Sequence, residues 1–518
     1  MRRILVGTAC VVALASAPAA QQDALQQAAS TLGAGNVNTL EITATGRQFS
    51  VGQNYLATDP WPAITVKTYT AQLDFGARAM RQELVREQLS PTMPRGGGAP
   101  FQGEQRQIQA VSGDFAWNIP APAPPAAPEQ GRVNIVQALQ FIGQPPPPPA
   151  AQPAAANQVE RALWVAMLTP QGFVKAAQAN NATSRRGRNN TTEVTFTLAN
   201  RPVTGVINAQ GQVERVSSTI YQSIVGDMPV VVTFAGYSDK GGIQFPSTIV
   251  QLQDGYPALE LNVSAVRVNP MVNLAVPANV QQAAAAPAAP PAITVTSAEL
   301  GKGAWFLTGG THHSMVVDMR DGIVIVDLPN NQARAAAVIA KAKELVPNKR
   351  VRYVITGHHH WDHLGGIREA FAEGAEIVTH ESNKAFLERV AKTAHTLNPD
   401  RQAMVKGKAR IKSVKANDRL TDGTRTIELY PMQGLDHNGD MLLVYLPQEK
   451  VLGVADAFTP AAQVNGALAP PAAAFAKALY DNVQRLKLDV TTIATFHGNR
   501  TSTVAELGRV SGAVPATN

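Results

Sequence analysis

No histidine occurs in residues 1–311, and four of the chain's ten lie in one stretch, GHHHWDHLGG at 357–366. Imidazole chemistry is therefore confined to the end of the chain. The stretch follows RVRYVIT at 350–356, whose β-branched and aromatic residues read as a buried strand. Side chains two apart on extended chain point the same way, so His358 and His360 can grip one ion at the strand's end. Asp362 and His363, past the turn, are aimed at a second position nearby. A divalent metal needs three or four nitrogen or oxygen ligands, and imidazole with carboxylate suits zinc. A lone histidine beside a strand is usually a satisfied structural residue, but this alternation after an apolar strand points to metal. His359 and Trp361, at the intervening positions, pack or face outward.

Around the stretch, strands alternate with helices. GIVIVDLP at 322–329 reads as a buried strand, NQARAAAVIAKAKEL at 331–345 as a helix, and LGGIREAFAEG opens the next helix after the histidines. This rhythm implies helices packed on sheet faces. The segment 277–292, PANVQQAAAAPAAPPA, holds eight Ala, four Pro and no charge, a composition that cannot form a packed core and reads as a semi-rigid linker. The chain divides there into residues 21–276 and 293–518. Since every metal-ligand candidate lies beyond the linker, residues 293–518 are expected to fold and bind metal alone.

Before the linker the pattern is that of strands: AITVKTYTAQLDF at 63–75, EVTFTLAN at 193–200, MPVVVTFAGYS at 228–238 and ALELNVSAVRVN at 258–269. Helices are expected at Val159–Leu168, stopped by Pro170, and at Val133–Ile142. Pro- and Gly-rich insertions near 94–100, from 120 and from 144 read as surface loops. This part is a mainly antiparallel β domain with one or two helices, whose strand order and lengths loosely resemble the curved sheets of periplasmic lipoprotein-carrier proteins. With no histidine, no cysteine and no clustered carboxylates, it reads as a binding or positioning module of unknown partner.

The N-terminus, MRRILVGTACVVALASAPAAQQ, has two arginines, an apolar run from Ile4 to Leu14 and an A-x-A site at Ala17-Pro18-Ala19. That is the form of a signal peptide, residues 1–19, and predicts export to the periplasm or beyond; the apolar run is too short to span a bilayer, so no transmembrane segment is expected once the signal is removed. The only cysteine, Cys10, lies inside the signal, which leaves the mature chain without disulfide or thiolate ligand. Losing Arg2 and Arg3 lowers the formal charge from +7 to +5, with no concentrated basic stripe, and nucleic-acid binding does not follow.

His358, His360, Asp362 and His363, in the order H-x-H-x-D-H followed by Leu-Gly-Gly, resemble the signature of the metallo-β-lactamase superfamily. Further residues fall in the family's order: His437 in LDHNGDMLLVYLP, Asp456 in KVLGVADAFTP, His497 in TIATFHGNR, and Asp327 at the end of GIVIVD. The resemblance covers roughly 293–518 and implies an αβ/βα sandwich. Carried over residue by residue, it implies a first metal held by His358, His360 and His437, a second by Asp362, His363 and His497, and a bridging Asp456, with Asp327 structural beside the site. It further implies two zinc ions, with iron also used in similar frames, and hydrolysis of a small-molecule substrate by a bridging hydroxide whose proton Asp362 steers or accepts. Zinc β-lactamases of the family generally lack a bridging aspartate, some having cysteine there, whereas its thioesterases, lactonases and phosphodiesterases keep one. Esters and lactones are therefore favoured, with β-lactams the alternative. A binding or scaffold protein without turnover is the reading from another class, and the full set of ligand types speaks against it.

Three features stand apart. His312 and His313, in GGTHHSMVV, are placed near Asp327 by sequence and are expected as second-shell, substrate-facing or structural residues. Lys406, Lys408, Arg410, Lys412 and Lys415 fall largely at period two, the pattern of a solvated strand face, with an anionic-substrate funnel as the other reading. The stretch 380–425, between the second and third metal motifs, is where the specificity-setting segment is expected.

Overall fold

A computed structural model describes residues 17–88, 95–97, 103–120, 150–286, 292–405, 409–460, 468, 472–498 and 500–514, with side chains from residue 24 onward. The helix expected at Val133–Ile142, residues 1–16 of the expected signal peptide, and Lys406 and Lys408 lie outside these residues. Among the described residues no helix is long and apolar enough to cross a membrane. The first helix, Ala17–Thr31, begins at the A-x-A site.

The N-terminal part forms one antiparallel sheet of thirteen strands among the described residues. From Thr39–Phe49 the chain steps outward through Ala63–Asp74, Ala79–Gln88, Gln105–Ser112 and Phe115–Ile119 to the short Gln152–Pro153. Two helices, Gln158–Met167 and Pro170–Ala179, then carry it to the opposite edge. From Thr183–Arg186 it returns strand by strand to Tyr256–Val268, which pairs with Thr39–Phe49 and completes the sheet. Pro170 ends one helix and opens the next: it sits at the first helical position, where a missing N–H costs nothing, and the Thr169 hydroxyl accepts from the Gly172 N–H at 3.0 Å. Gly205 shows how closely the helices lie on the sheet, since a Cβ there would meet the Phe173 ring at 2.2 Å.

The C-terminal part is a sandwich of two sheets. The first has seven strands in chain order, from Thr296–Gly301 to Arg410–Val414; it is antiparallel as far as Gly322–Val326 and parallel beyond. The second has five, from Asp418–Thr421 to Thr492–Thr495. The strand Gly322–Val326 shows why the layers assemble. Val324 and Val326 join the core shared with the second sheet, while Ile323 and Ile325 face the other way, into the core that contains helix residues Ala335, Val338 and Ile339. A strand buried on both faces reads as an unbroken apolar run, as this one does. Helices Ala472–Leu486 and Val504–Val510 pack on the core of the second sheet through Phe475, Leu479, Val483 and Leu507.

The first half of the segment expected as a linker is helical. Ala278–Ala285 forms a helix, and Val280 is buried against Ala110 and Trp117 of the N-terminal sheet. An Ala-rich run has the highest helix propensity, and the Asn279 amide donates to the Ala151 carbonyl beside the Val280 contact. The two parts are also packed together: a single hydrophobic cluster runs from the N-terminal sheet into the helix layer of the seven-stranded sheet. Polar contacts reinforce it. Asp227 accepts from the Thr396 and Leu397 N–H groups, each at 3.0 Å, and Asp254 pairs with Arg389 at 2.8 Å.

Candidate metal centre

The parallel strand Val351–Ile355 ends at Thr356, and the next residues run across the sandwich's open edge before the short helix Trp361–Leu364. Two clusters gather here. In one, a ligand atom from each of His358, His360, His437 and Asp456 lies within 4.8 Å of the others; in the second, the same holds for His312, Asp362, His363 and His497. His437 arrives on the loop before Leu442–Leu446, Asp456 just past Val451–Val454, and His497 just past Thr492–Thr495. Strand ends thus deliver residues more than 130 apart in sequence to one place.

Asp456 stands between the clusters. Its Oδ2 lies 2.8 Å from His437 Nε2 and 3.8 Å from His358 Nε2, and its Oδ1 lies 2.7 Å from both His363 Nε2 and His497 Nε2. Burial alone would raise its carboxyl, but the imidazoles of His363, His437 and His497 hold it well below the usual carboxylate range. His358 and His360 are fully enclosed, and burial, followed by the neighbouring imidazoles, pushes both well below the ordinary histidine range. They are neutral, with lone pairs to offer. Burial also opposes the charge on His363, yet Asp456 and Asp327 hold that imidazole well above its ordinary range.

Imidazole tautomers follow from the outer contacts, since only an N–H can face a carbonyl or carboxylate. His363 Nδ1 donates to Asp327 Oδ2 at 2.9 Å, which leaves Nε2 facing the cluster. His360 Nε2 donates to the Asn54 carbonyl at 2.8 Å, which leaves Nδ1 with its lone pair and no hydrogen-bond partner. Asp327 also accepts from the Gly357 N–H at 2.6 Å and sits at φ 59°, a left-handed position that few side chains adopt. The carboxylate expected near the site by sequence therefore holds both the metal-motif loop and one of its histidines.

The imidazole nitrogens crowd one another around the Asp456 carboxylate: His437 Nε2 and His358 Nε2 are 3.4 Å apart, and His363 Nε2 and His497 Nε2 are 3.1 Å apart. Imidazole nitrogens converging around a carboxylate, His358 and His360 among them neutral, are a donor set that a divalent cation satisfies, so the residues fit metal ions. With imidazole and carboxylate only, zinc and iron are both compatible in ligand type.

The structure brings His358, His360, Asp362, His363, His437, Asp456 and His497 together as a group. It adds His312, whose Nε2 lies 3.1 Å from Asp362 Oδ2, to the second cluster as a possible ligand; sequence reasoning had given it only an outer role. His313 is instead buried, bonds the Gly498 carbonyl through Nε2 and packs edge-on against Phe306 at 5.3 Å. Lys412 pairs with Asp418 at 2.7 Å. Sequence reasoning missed Asp440, which holds His359 with Nδ1 2.8 Å from Asp440 Oδ2, and Asn383, whose amide donates to the same Asp440 oxygen. Asp440 follows His437 in DHNGD and had a local signal. Gln53 and Asn54, some 300 residues upstream, had none.

Residues 307–497 match the family model described as the metallo-beta-lactamase superfamily. The C-terminal domain belongs to that superfamily. Solved structures similar to it include a metallo-beta-lactamase from Pontibacter korlensis, 19% identical over 42% of this chain and 96% of that one, with a TM-score of 0.32. The DIM-1 metallo-beta-lactamase is 16% identical, over 42% of this chain and 95% of that one, with a TM-score of 0.33. A search of curated proteins gave no match. The metallo-beta-lactamase match begins within the strand Ala304–Thr308 and ends at His497, so it contains every residue of both clusters.

Proposed function

We propose that the metallo-beta-lactamase domain is a hydrolase working with two divalent ions, zinc in the first place, on a carboxylic ester or lactone. The observation that carries this reading is the position of Asp456, with one oxygen toward each cluster. His358, His360 and His437 would hold the first ion, and Asp362, His363 and His497 the second, with His312 in reach of it. Two such ions supply an activated water at neutral pH and polarise the oxygen of the scissile bond.

The chain's own residues account for the rest. Asp456 sets a negative charge between the positions and offsets the repulsion of two close cations. Asp362 is ionised: burial opposes this, but the His312 hydrogen bond and the His363 charge hold its carboxyl below the usual range. It can therefore accept a proton from attacking water.

The leader sequence supports export, which keeps β-lactams as the alternative substrate. The test is kcat/KM for a chromogenic cephalosporin, a lactone, an aryl ester and an aryl phosphodiester on the zinc-loaded chain. Lactone or ester turnover should lead, and cephalosporin turnover above that of every ester would overturn the substrate class.

A further inference from the structure

The metallo-beta-lactamase domain does not build its metal centre unaided. The loop between strands Thr39–Phe49 and Ala63–Asp74 of the N-terminal sheet lies directly on the GHHHWDHLGG segment. Gln53 Nε2 donates to Asp362 Oδ1 at 2.8 Å. The Asn54 carbonyl accepts from His360 Nε2, and its side-chain oxygen lies 3.3 Å from His359 Nε2. The Gly52 carbonyl accepts from the Trp361 N–H at 3.2 Å. The same loop grips the third histidine's neighbourhood, since the Gly439 N–H donates to the Tyr55 carbonyl at 2.8 Å.

The loop's own sequence is suited to this contact. Gly52 has φ 75°, and a Cβ there would meet the Trp361 ring at 2.3 Å, so only glycine allows both the turn and the approach. Trp61, at the loop's far end, packs edge-on against Trp361 at 5.8 Å.

We propose that Gly52–Tyr55 is a positioning element of the metal centre, through which the N-terminal domain orients one ligand of each metal position. Gln53 fixes the rotation of Asp362 by holding Oδ1, which leaves Oδ2 turned to His312 and the second cluster. The Asn54 carbonyl fixes the tautomer of His360 and so presents Nδ1 to the first. Outer partners of this kind typically change metal affinity 10- to 100-fold when removed. The inference rests on the dinuclear reading above.

The experiment is a titration of the metal-free full chain with cobalt(II), read by visible absorption and equilibrium dialysis. The variants are Gln53→Met, which keeps the side chain's length and removes its donor, and Gln53→Glu, which keeps its shape and sets a second carboxylate beside Asp362. Near-ultraviolet circular dichroism checks the fold of each. Wild type should bind two equivalents. In Gln53→Met the second equivalent should bind about 10- to 100-fold more weakly with an altered absorption band, while the first changes less than about 2-fold. Gln53→Glu should show the same selective loss, which a general loss of folding would not produce. Two equivalents bound by both variants with wild-type affinity and spectra would overturn the inference alone. Failure of the wild-type chain to bind a second equivalent would overturn the dinuclear reading and this inference with it.

Discussion

Asp327 shows how much one side chain can do at this centre. It caps the Gly357 N–H and holds His363 by Nδ1, from a backbone position with φ 59°. Asn tolerates that conformation but would present at most one oxygen where the carboxylate presents two. Asp327→Asn should therefore keep the fold and weaken binding at the second position by about 10- to 100-fold, read by competition with a chromogenic chelator. His360→Ala removes a ligand outright, and elemental analysis should find less than one tightly held ion. The seven metal-ligand candidates were legible in sequence because they lie in short segments next to apolar strands, where the H-x-H-x-D-H spacing and the family's order mark them. His312 was not assigned as a ligand candidate, because its place beside Asp362 depends on an isolated bridge between His312 and His497, a contact between the two sheets' loops that no local pattern encodes.

At the scale of elements, the segment after the metal motif is fastened by a buried ion pair. Arg368, on helix Ile367–Ala372, bonds Asp400 through Nε and Nη2 and the Val390 carbonyl through Nη1 at 2.7 Å. Asp400 also caps helix Arg401–Met404 by accepting from Ala403 N–H at 2.8 Å. Both side chains are nearly inaccessible. Asp400→Ala leaves the guanidinium uncompensated and should cost about 3–5 kcal/mol in chemical denaturation. Burial would raise the Asp400 carboxyl, but the Arg368 hydrogen bond holds it below the usual range. A depressed carboxyl stabilises above its unfolded value, roughly 4, and that contribution is lost as pH falls through the lower folded value. Stability measured from pH 7 to 3 should therefore fall less steeply in Asp400→Asn than in wild type. The strands at 63–75, 193–200, 228–238 and 258–269 were legible by alternation, and the helices expected at 159–168 and 331–345 are found at Gln158–Met167 and Gln332–Leu345. The helix at Ala278–Ala285 was not legible, because its Pro-flanked Ala run gives no amphipathic pattern and buries one side chain, Val280.

For the whole molecule, the sequence division at the Ala/Pro segment hid how the two parts combine. The hydrophobic cluster shared by the N-terminal sheet and the first helix layer, the Asp227 clasp on residues 396–397, and the Gly52–Tyr55 loop on the metal motif all cross it. Contacts between segments some 300 residues apart leave no trace in local periodicity. Residues 293–518 expressed alone should bind cobalt(II) more weakly than the full chain, and with fewer than two equivalents at concentrations that saturate the latter. Asp227→Ala in the full chain should loosen the joint without touching a ligand, and amide exchange at 394–398 should rise while metal content stays unchanged.

The dinuclear hydrolase reading stands on six further ligand candidates gathered around Asp456, so metal stoichiometry tests it most directly. Elemental analysis of the purified full chain should give close to two zinc ions per chain, and Asp456→Ala should give markedly fewer. One iron with no zinc, or a chain that retains no metal at all, would contradict the account.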